Sequence, residues 1–379
     1  MEATTGLCCG ILLSVIEVDL VKEAVRQRKA RSETFLGFEY LRFSDDFKDI
    51  PRGTAIFQDT VIWGYPHIGR IFILERGLKE QFKNPFWVEE KVDGYNVRVF
   101  KVGDRVIALS RGGYICPFTT DRLPDFIDLK FFEDNPDLIL CAEVAGPENP
   151  YIEESPPFVE EDVRFFVFDI MRKNEQGFLS QEDKLRLIEN YSLPSVEVFG
   201  KFQREDVGEL KELLLRLNEE GREGVVFKEE SEENRRAKYI TSYANLSDIK
   251  VTTKNMLQLP PEYYTNRVLR LVLFMEEEGI ERTEHLYEEL GRAFIDGLFE
   301  AIEQFKREHK VYRTFRCRFR SRDNAVALME LLHRTSRHIQ VIERELKQEG
   351  DYWILTFDKV FLNMTGLLGH LLSGGLVFD

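Results

Sequence analysis

The sequence predicts an α+β fold, built of antiparallel sheets with helices on their flanks. Three observations carry that expectation. From about residue 34 to residue 230, short runs alternate apolar and polar residues between Gly, Pro, Asn and Asp, the period-two signature of strands. Leu259-Pro260-Pro261 breaks this pattern, and Leu286, Leu290, Phe294, Leu298, Ile302 and Phe305 then recur at helical spacing. Beyond residue 311, strand-like runs return around one further helix. The boundaries expected are 1–62, 63–255, 258–310 and 311–379.

Residues 1–62 read as a small β-rich domain, with alternating runs at Thr34 to Phe43 and Ala55 to Trp63 and one early helix near Val21 to Arg31. In 63–255, the run Phe86-Trp87-Val88-Glu89-Glu90-Lys91-Val92-Asp93-Gly94 brings a primary amine to the end of a strand. An ordinary lysine, with a pKa near 10.4, is ammonium at neutral pH. Desolvation by Trp87, Val88 and Val92 favours the nucleophilic amine, whereas Asp93 favours the ammonium unless a divalent cation occupies that carboxylate. Asn96 and Arg98 share one face of the next strand, and a Gly103-Asp104 turn returns the chain to Arg111. Leu138 to Val144 is a buried-strand run carrying Glu143. Arg164 to Ile170 is another, with Phe166 and Phe168 placed to stack on a base, and Glu223 to Lys228 begins with a carboxylate and ends with an amine.

The helices after 258, one of them the apolar stretch Val268 to Met275, carry more apolar surface than two helices bury against each other, so a second subunit is expected on them. In 311–379, Tyr312 to Arg320 reads as a strand, Asp323 to Gln348 as a capped helix and Tyr352 to Phe361 as a second strand, without the signature of an OB-type barrel. The stretch Lys306 to Arg322 holds eight basic residues against one acid. Alternation sets Arg316, Arg318 and Arg320 opposite Phe315, Cys317 and Phe319, and that row suits a phosphate backbone or a set of local acids such as Glu330, Glu343 and Glu345.

At 379 residues, the chain is long enough for several domains, and with 43% hydrophobic residues and 30 phenylalanines it has large cores to build. The net charge of −15 argues against unspecific binding of polyanions. Much of the acid lies in Glu153-Glu154, Glu160-Glu161-Asp162, Glu229-Glu230 and Glu232-Glu233, which read as solvated loops. The five cysteines, Cys8, Cys9, Cys116, Cys141 and Cys317, have neither metal-ligand nor disulfide spacing. The apolar run Gly6 to Ile16 is too short to span a membrane and lacks a basic leader. A cytoplasmic protein is expected. With no glycine-rich phosphate loop in the sequence, side chains must hold any phosphates.

Taken in order, Lys91-Val92-Asp93-Gly94, Ser110-Arg111-Gly112, Glu143, Phe166-Val167-Phe168-Asp169 and Glu223-Gly224-Val225-Val226-Phe227-Lys228 resemble the motifs of the covalent nucleotidyltransferases, the superfamily of DNA ligases, RNA ligases and mRNA-capping enzymes. Asn96, the lead-in Tyr65-Pro66-His67-Ile68-Gly69-Arg70 and the chain length look most like archaeal ATP-dependent RNA ligases. The resemblance implies a nucleotidyltransferase domain over 63–255 that uses ATP with Mg2+ or Mn2+ on RNA ends, in a homodimer. It implies AMP on Lys91, metal at Asp93 and Glu223, ribose at Glu143, and adenine on Phe166 or Phe168. Phosphate and ribose contacts fall to Arg111, Lys228 and Lys238, assisted by Asn96 and Arg98, with Glu89 and Glu90 in the same nucleotide site. The last motif usually has two lysines; here Lys238 stands alone, and Lys250 and Lys254 are its alternatives. The rivals are a capping guanylyltransferase, a DNA ligase and a non-catalytic nucleotide-binding dimer.

Overall fold

The structure is a computed structural model that describes residues 15–231, 234–336 and 338–377. Cys8, Cys9, most of the Gly6 to Ile16 run, Glu232 and Glu233 lie outside the described residues. Two compact units interleave along the chain: Met1–Ile68, Tyr95–Val144 and Arg164–Val196 form the first, and Gly69–Gly94, Ala145–Val163 and Glu197–Asp379 the second.

The first unit opens with α1 (Val18–Arg26) and a four-stranded meander of β1 (Ala30–Phe35), β2 (Phe38–Phe43), β3 (Ala55–Phe57) and β4 (Thr60–Ile62). The early helix stops at Arg26 rather than Arg31, because Ala30 already pairs with Phe43. The run Thr34 to Phe43 folds back as a hairpin at Leu36-Gly37, where both residues have positive φ. The second unit begins with β5 (Gly69–Arg70), α2 (Leu74–Gln81) and β6 (Phe86–Lys91). The chain then returns to the first unit for β7 (Tyr95–Val102), β8 (Arg105–Ser110), α3 (Pro117–Phe126), α4 (Lys130–Asp134), β9 (Leu138–Ala145), β10 (Arg164–Arg172) and α5 (Gln181–Tyr191), whose sheet runs β10-β9-β7-β8.

The rest belongs to the second unit. β11 (Val198–Phe202), α6 (Val207–Glu219), β12 (Gly224–Glu229) and β13 (Arg236–Ile240) complete a sheet of order β11-β6-β12-β13-β5. The period of two decides what each face of it does. Phe86, Val88, Val225, Phe227, Ala237 and Tyr239 point to a core closed by Leu74 and Leu78 of α2 and by Leu210, Leu214 and Leu217 of α6. Each buried Val, Leu or Phe among them contributes about 1.5–3 kcal/mol. The other face carries Trp87, Glu89 and Lys91, with Lys228 opposite Trp87 and Lys238 in line with Val226 and Glu89.

Next come α7 (Ser242–Thr252), α8 (Glu262–Glu278) and α9 (Glu284–Glu308). Glu277 of α8 accepts from the backbone N–H groups of Leu74 and Glu75, which ties that helix to the first turn of α2. The helical-spacing stripe on α9 faces its own chain: Leu298, Ile302 and Phe305 pack around Ala301, Val311, Phe361, Met364 and Leu368. A different stripe is exposed, made of Leu269, Val272, Tyr287, Ile295 and Phe299, the last 59% accessible.

The chain ends with β14 (Tyr312–Phe319), α10 (Arg322–Thr335), β15 (Ile339–Glu349), β16 (Tyr352–Phe361) and α11 (Leu362–Leu372), its strands ordered β14-β16-β15. The helix expected from Asp323 to Gln348 therefore ends at Thr335. Its second half is a strand with a bulge between Glu343 and Glu345, because pairing with β16 along its length outweighs the helix propensity of Glu343 to Gln348. No helix among the described residues is long and apolar enough to cross a membrane.

Candidate active site

In the second unit, Lys91 stands at the C-terminal end of β6, and its Nζ donates to Glu223 Oε2 at 2.6 Å. Glu223 reaches that position because Gly224, directly opposite Lys91 in the ladder, has φ +149 and a Cβ there would fall 2.1 Å from the Tyr239 carbonyl oxygen. Any other residue would push β12 off β13 at the point where the acid meets the amine. Burial raises the Glu223 carboxyl above its usual range, and the lysine opposes the shift.

Asp93, two residues after Lys91, joins Glu154 and Asp248, one oxygen of each lying within 4.8 Å of the others. Burial pushes Asp93 up and Glu154 up to about 11, and the neighbouring carboxylates add to the Glu154 shift. Of three carboxylates gathered this closely, at least one stays protonated at neutral pH unless a cation enters. Oxygen donors at such spacing are the set that Mg2+, Mn2+ and Ca2+ prefer. Asp248 is delivered by α7, whose first turn is capped by Thr241, and is paired with Arg267 of α8.

Further residues of this unit divide between the two faces. Glu89 and Lys228 form a buried pair at 2.5 Å beside Lys91. Lys238 is on their face; Lys250 is an exposed residue of α7, and Lys254 faces Glu300 at 3.5 Å. Glu90 turns to the opposite face, where Arg222 bridges it to Glu197.

The first unit holds the other expected residues. Asn96 on β7 is in register with Glu143 on β9, so the two are adjacent, and Asn96 Oδ1 is buried without a hydrogen-bond partner. That orphan acceptor fits a donor on a ligand. Phe166 and Phe168 share the half-exposed face of β10, and Phe168 packs edge-on against Tyr65, with ring centres 5.3 Å apart. Arg111 meets His67 Nδ1 at 3.2 Å. Arg98 is fully buried and donates to the carbonyl oxygens of Trp63, Gly53 and Ser110, so its guanidinium is occupied in holding β7 to the Gly53 and Trp63 segments. Burial lowers its pKa to about 10.

A family model for RNA ligases matches residues 84–240, and a model for the C-terminal region of the ligase Pab1020 matches 251–375. Among solved structures, one from Aquifex aeolicus, provisionally assigned as an ATP-dependent DNA ligase, is 73% identical, covers 95% of this chain and 100% of its own, and superposes with a TM-score of 0.92. The chain belongs to the RNA ligase family. An archaeal ATP-dependent RNA ligase, solved in two forms, is 29% identical over 94% of this chain and 96% of its own, with a TM-score of 0.85. An uncharacterized protein of Methanocaldococcus jannaschii, MJ0414, is 28% identical over 92% of this chain and 93% of its own.

This RNA ligase chain also has site residues that sequence reasoning missed. Glu153 and Glu154 are not solvated: Glu153 pairs with Arg313 at 2.8 Å, and Glu154 belongs to the carboxylate cluster. Glu229 is likewise buried, accepting from the N–H groups of Lys83 and Asn84. Asp248 had a weak signal at best, as a lone acid on a helix. Arg316 and Arg318 both hold Glu148, Arg318 also faces Asp162 at 3.7 Å, and Arg316 pairs with Glu349 of β15 at 3.2 Å, so the acids on this row come from residues 148–162 and from the neighbouring strand end.

Proposed function

We propose that this ligase joins, or circularises, RNA by activating a 5′-phosphate with AMP carried on Lys91. The observation that carries the reading is the 2.6 Å contact between Lys91 and a half-buried Glu223 whose pKa is raised. A carboxylate so perturbed is a competent acceptor for the ammonium proton. The freed Nζ pair then attacks the ATP α-phosphorus, a P–N bond forms, and the bond to the β-phosphate oxygen breaks to release pyrophosphate. The AMP passes to the RNA 5′-phosphate as an anhydride, and a 3′-hydroxyl displaces it to leave a phosphodiester.

Lys228 and Lys238 supply positive charge on the face of Lys91, as phosphoryl transfer requires. Glu143 and Asn96 suit the ribose and base edges, Phe166 or Phe168 the adenine plane, and Arg111 a phosphate. Asp93, Glu154 and Asp248 would hold a divalent ion, which when bound stabilises phosphate charge. The exposed stripe Leu269, Val272, Tyr287, Ile295 and Phe299 supports a homodimer.

Incubation with α-labelled ATP or GTP and Mg2+ or Mn2+, followed by a denaturing gel, tests the first step. Label from ATP that is acid-labile, alkali-stable and lost in Lys91→Ala is expected. Label retained by that variant, or taken only from GTP, refutes the assignment. The provisional description of the Aquifex aeolicus relative favours DNA as a second substrate, so nicked and single-stranded RNA and DNA should be offered side by side.

A further inference from the structure

The face that carries Lys91 continues beyond Lys238. β5 pairs in parallel with β13, Arg70 in register with Lys238, so Arg70 stands on that face one strand further out. β5 is only two residues long, and Arg236, two residues before Lys238, extends past it. At this open edge, a cavity of about 520 Å³ is lined by Arg70, Arg76 of α2 and Arg236, with Glu80 as the carboxylate among them. Arg70 is half-buried, its Nε finds no acceptor, and burial depresses its pKa. Arg70, Arg76 and Arg236 around a single lining carboxylate, in a chain of net charge −15, make a local site for an oxyanion such as a phosphate, which the planar guanidinium fork can grip.

Distance selects the anion. Three strand spacings separate β5 from β6, roughly 14 Å of sheet, and the Arg70 guanidinium stands between the two ends, close enough to feel the Glu223 and Asp248 carboxylates. A phosphate chain that starts at Lys91 must keep going to fill a cavity there, which a polynucleotide does with every residue. Arg316 and Arg318, the other basic row, already hold Glu148.

We propose that the cavity at the β5 edge is a backbone subsite for the RNA strand whose 5′ end is activated at Lys91. The proposal rests on the RNA-joining reading above. The test uses Arg70→Gln, Arg76→Gln and Arg70→Lys, a fluorescent 5′-phosphorylated RNA oligonucleotide and a salt series. Labelling of Lys91 from ATP checks that each variant is folded.

Each Gln variant should bind RNA more weakly, its log–log salt slope shallower by about 0.7 per lost contact on a single strand. Arg70→Lys keeps the charge without the fork, so it should keep the slope and lose part of the affinity. Sealing of pre-adenylylated RNA should slow with the same order of variants. Unchanged affinity and slope would overturn the proposal. So would a defect confined to the KM for ATP and to reversal by pyrophosphate, which would assign the cavity to the leaving group. Wild-type protein that neither labels at Lys91 nor binds RNA would overturn both this subsite and the functional reading.

Discussion

Replacing Glu154 by Gln should abolish the pH dependence of divalent-metal binding. Among Asp93, Glu154 and Asp248, Glu154 keeps its proton up to about pH 11, far above the usual value of 4.5, chiefly because of its burial. A metal ion entering the cluster at neutral pH must therefore expel about one proton, and its affinity should rise about tenfold, or 1.4 kcal/mol, per pH unit. Titration calorimetry with Mn2+ in buffers of different ionisation enthalpy measures that proton directly. The expected count is about one for the wild type and near zero for Glu154→Gln. The metal-free protein carries the same signature in its stability. Because the folded pKa lies above the unfolded one, the folded state holds a proton that the unfolded chain releases. This contribution is complete below about pH 4.5 and is lost as pH rises toward the folded pKa, at up to roughly 1.4 kcal/mol per unit. Equal proton release from wild type and variant, or none from either, would show that the cluster does not take the metal.

Three further outcomes follow from particular contacts. Lys228→Met leaves Glu89 charged and buried, and should cost about 3–5 kcal/mol in urea unfolding, whereas Glu89→Met with Lys228→Met should recover most of it; equal losses in the single and double variants would contradict the pairing. Phe299→Asp with Ile295→Asp should turn a dimer into a monomer by light scattering; a wild-type protein that is monomeric at micromolar concentration, or a dimer that survives both charges, would remove the dimer proposal. Arg316→Ala with Arg318→Ala releases Glu148 and should speed limited proteolysis within 145–163; cleavage at the wild-type rate would mean that those ion pairs do not hold the segment.

The sequence was most informative where a local rule and the final structure agree. Alternation in 86–91 and 95–102 gave the strands and the two faces of β6, and the order of the acids and lysines gave Lys91, Glu223 and Lys228 their shared surface. Alternation was silent on what lies across the face. It grouped Arg98 with Asn96, but the two terminal nitrogens of Arg98 donate to carbonyl groups of segments some 35 and 45 residues earlier. Glu154 and Asp248 were illegible for the same reason: each is an ordinary acid in its own stretch and becomes unusual only when distant segments bring it to Asp93. In 339–349, strong helix formers gave way to strand pairing, a tertiary choice that no window of that length contains.

The interleaving of the two units sets an order of events during synthesis. Lys91 leaves the ribosome early, yet its acid partner is 132 residues downstream and the strands that flank β6 are both made after residue 197. The centre of that sheet must therefore wait for a long loop to close, a slow and entropically costly step. Nascent or prematurely ended chains thus carry the reactive lysine without the residues that would activate it. Neither unit can be cut out as a continuous fragment, so insertions and tags belong at surface turns within a unit rather than at a domain border, because no single border exists.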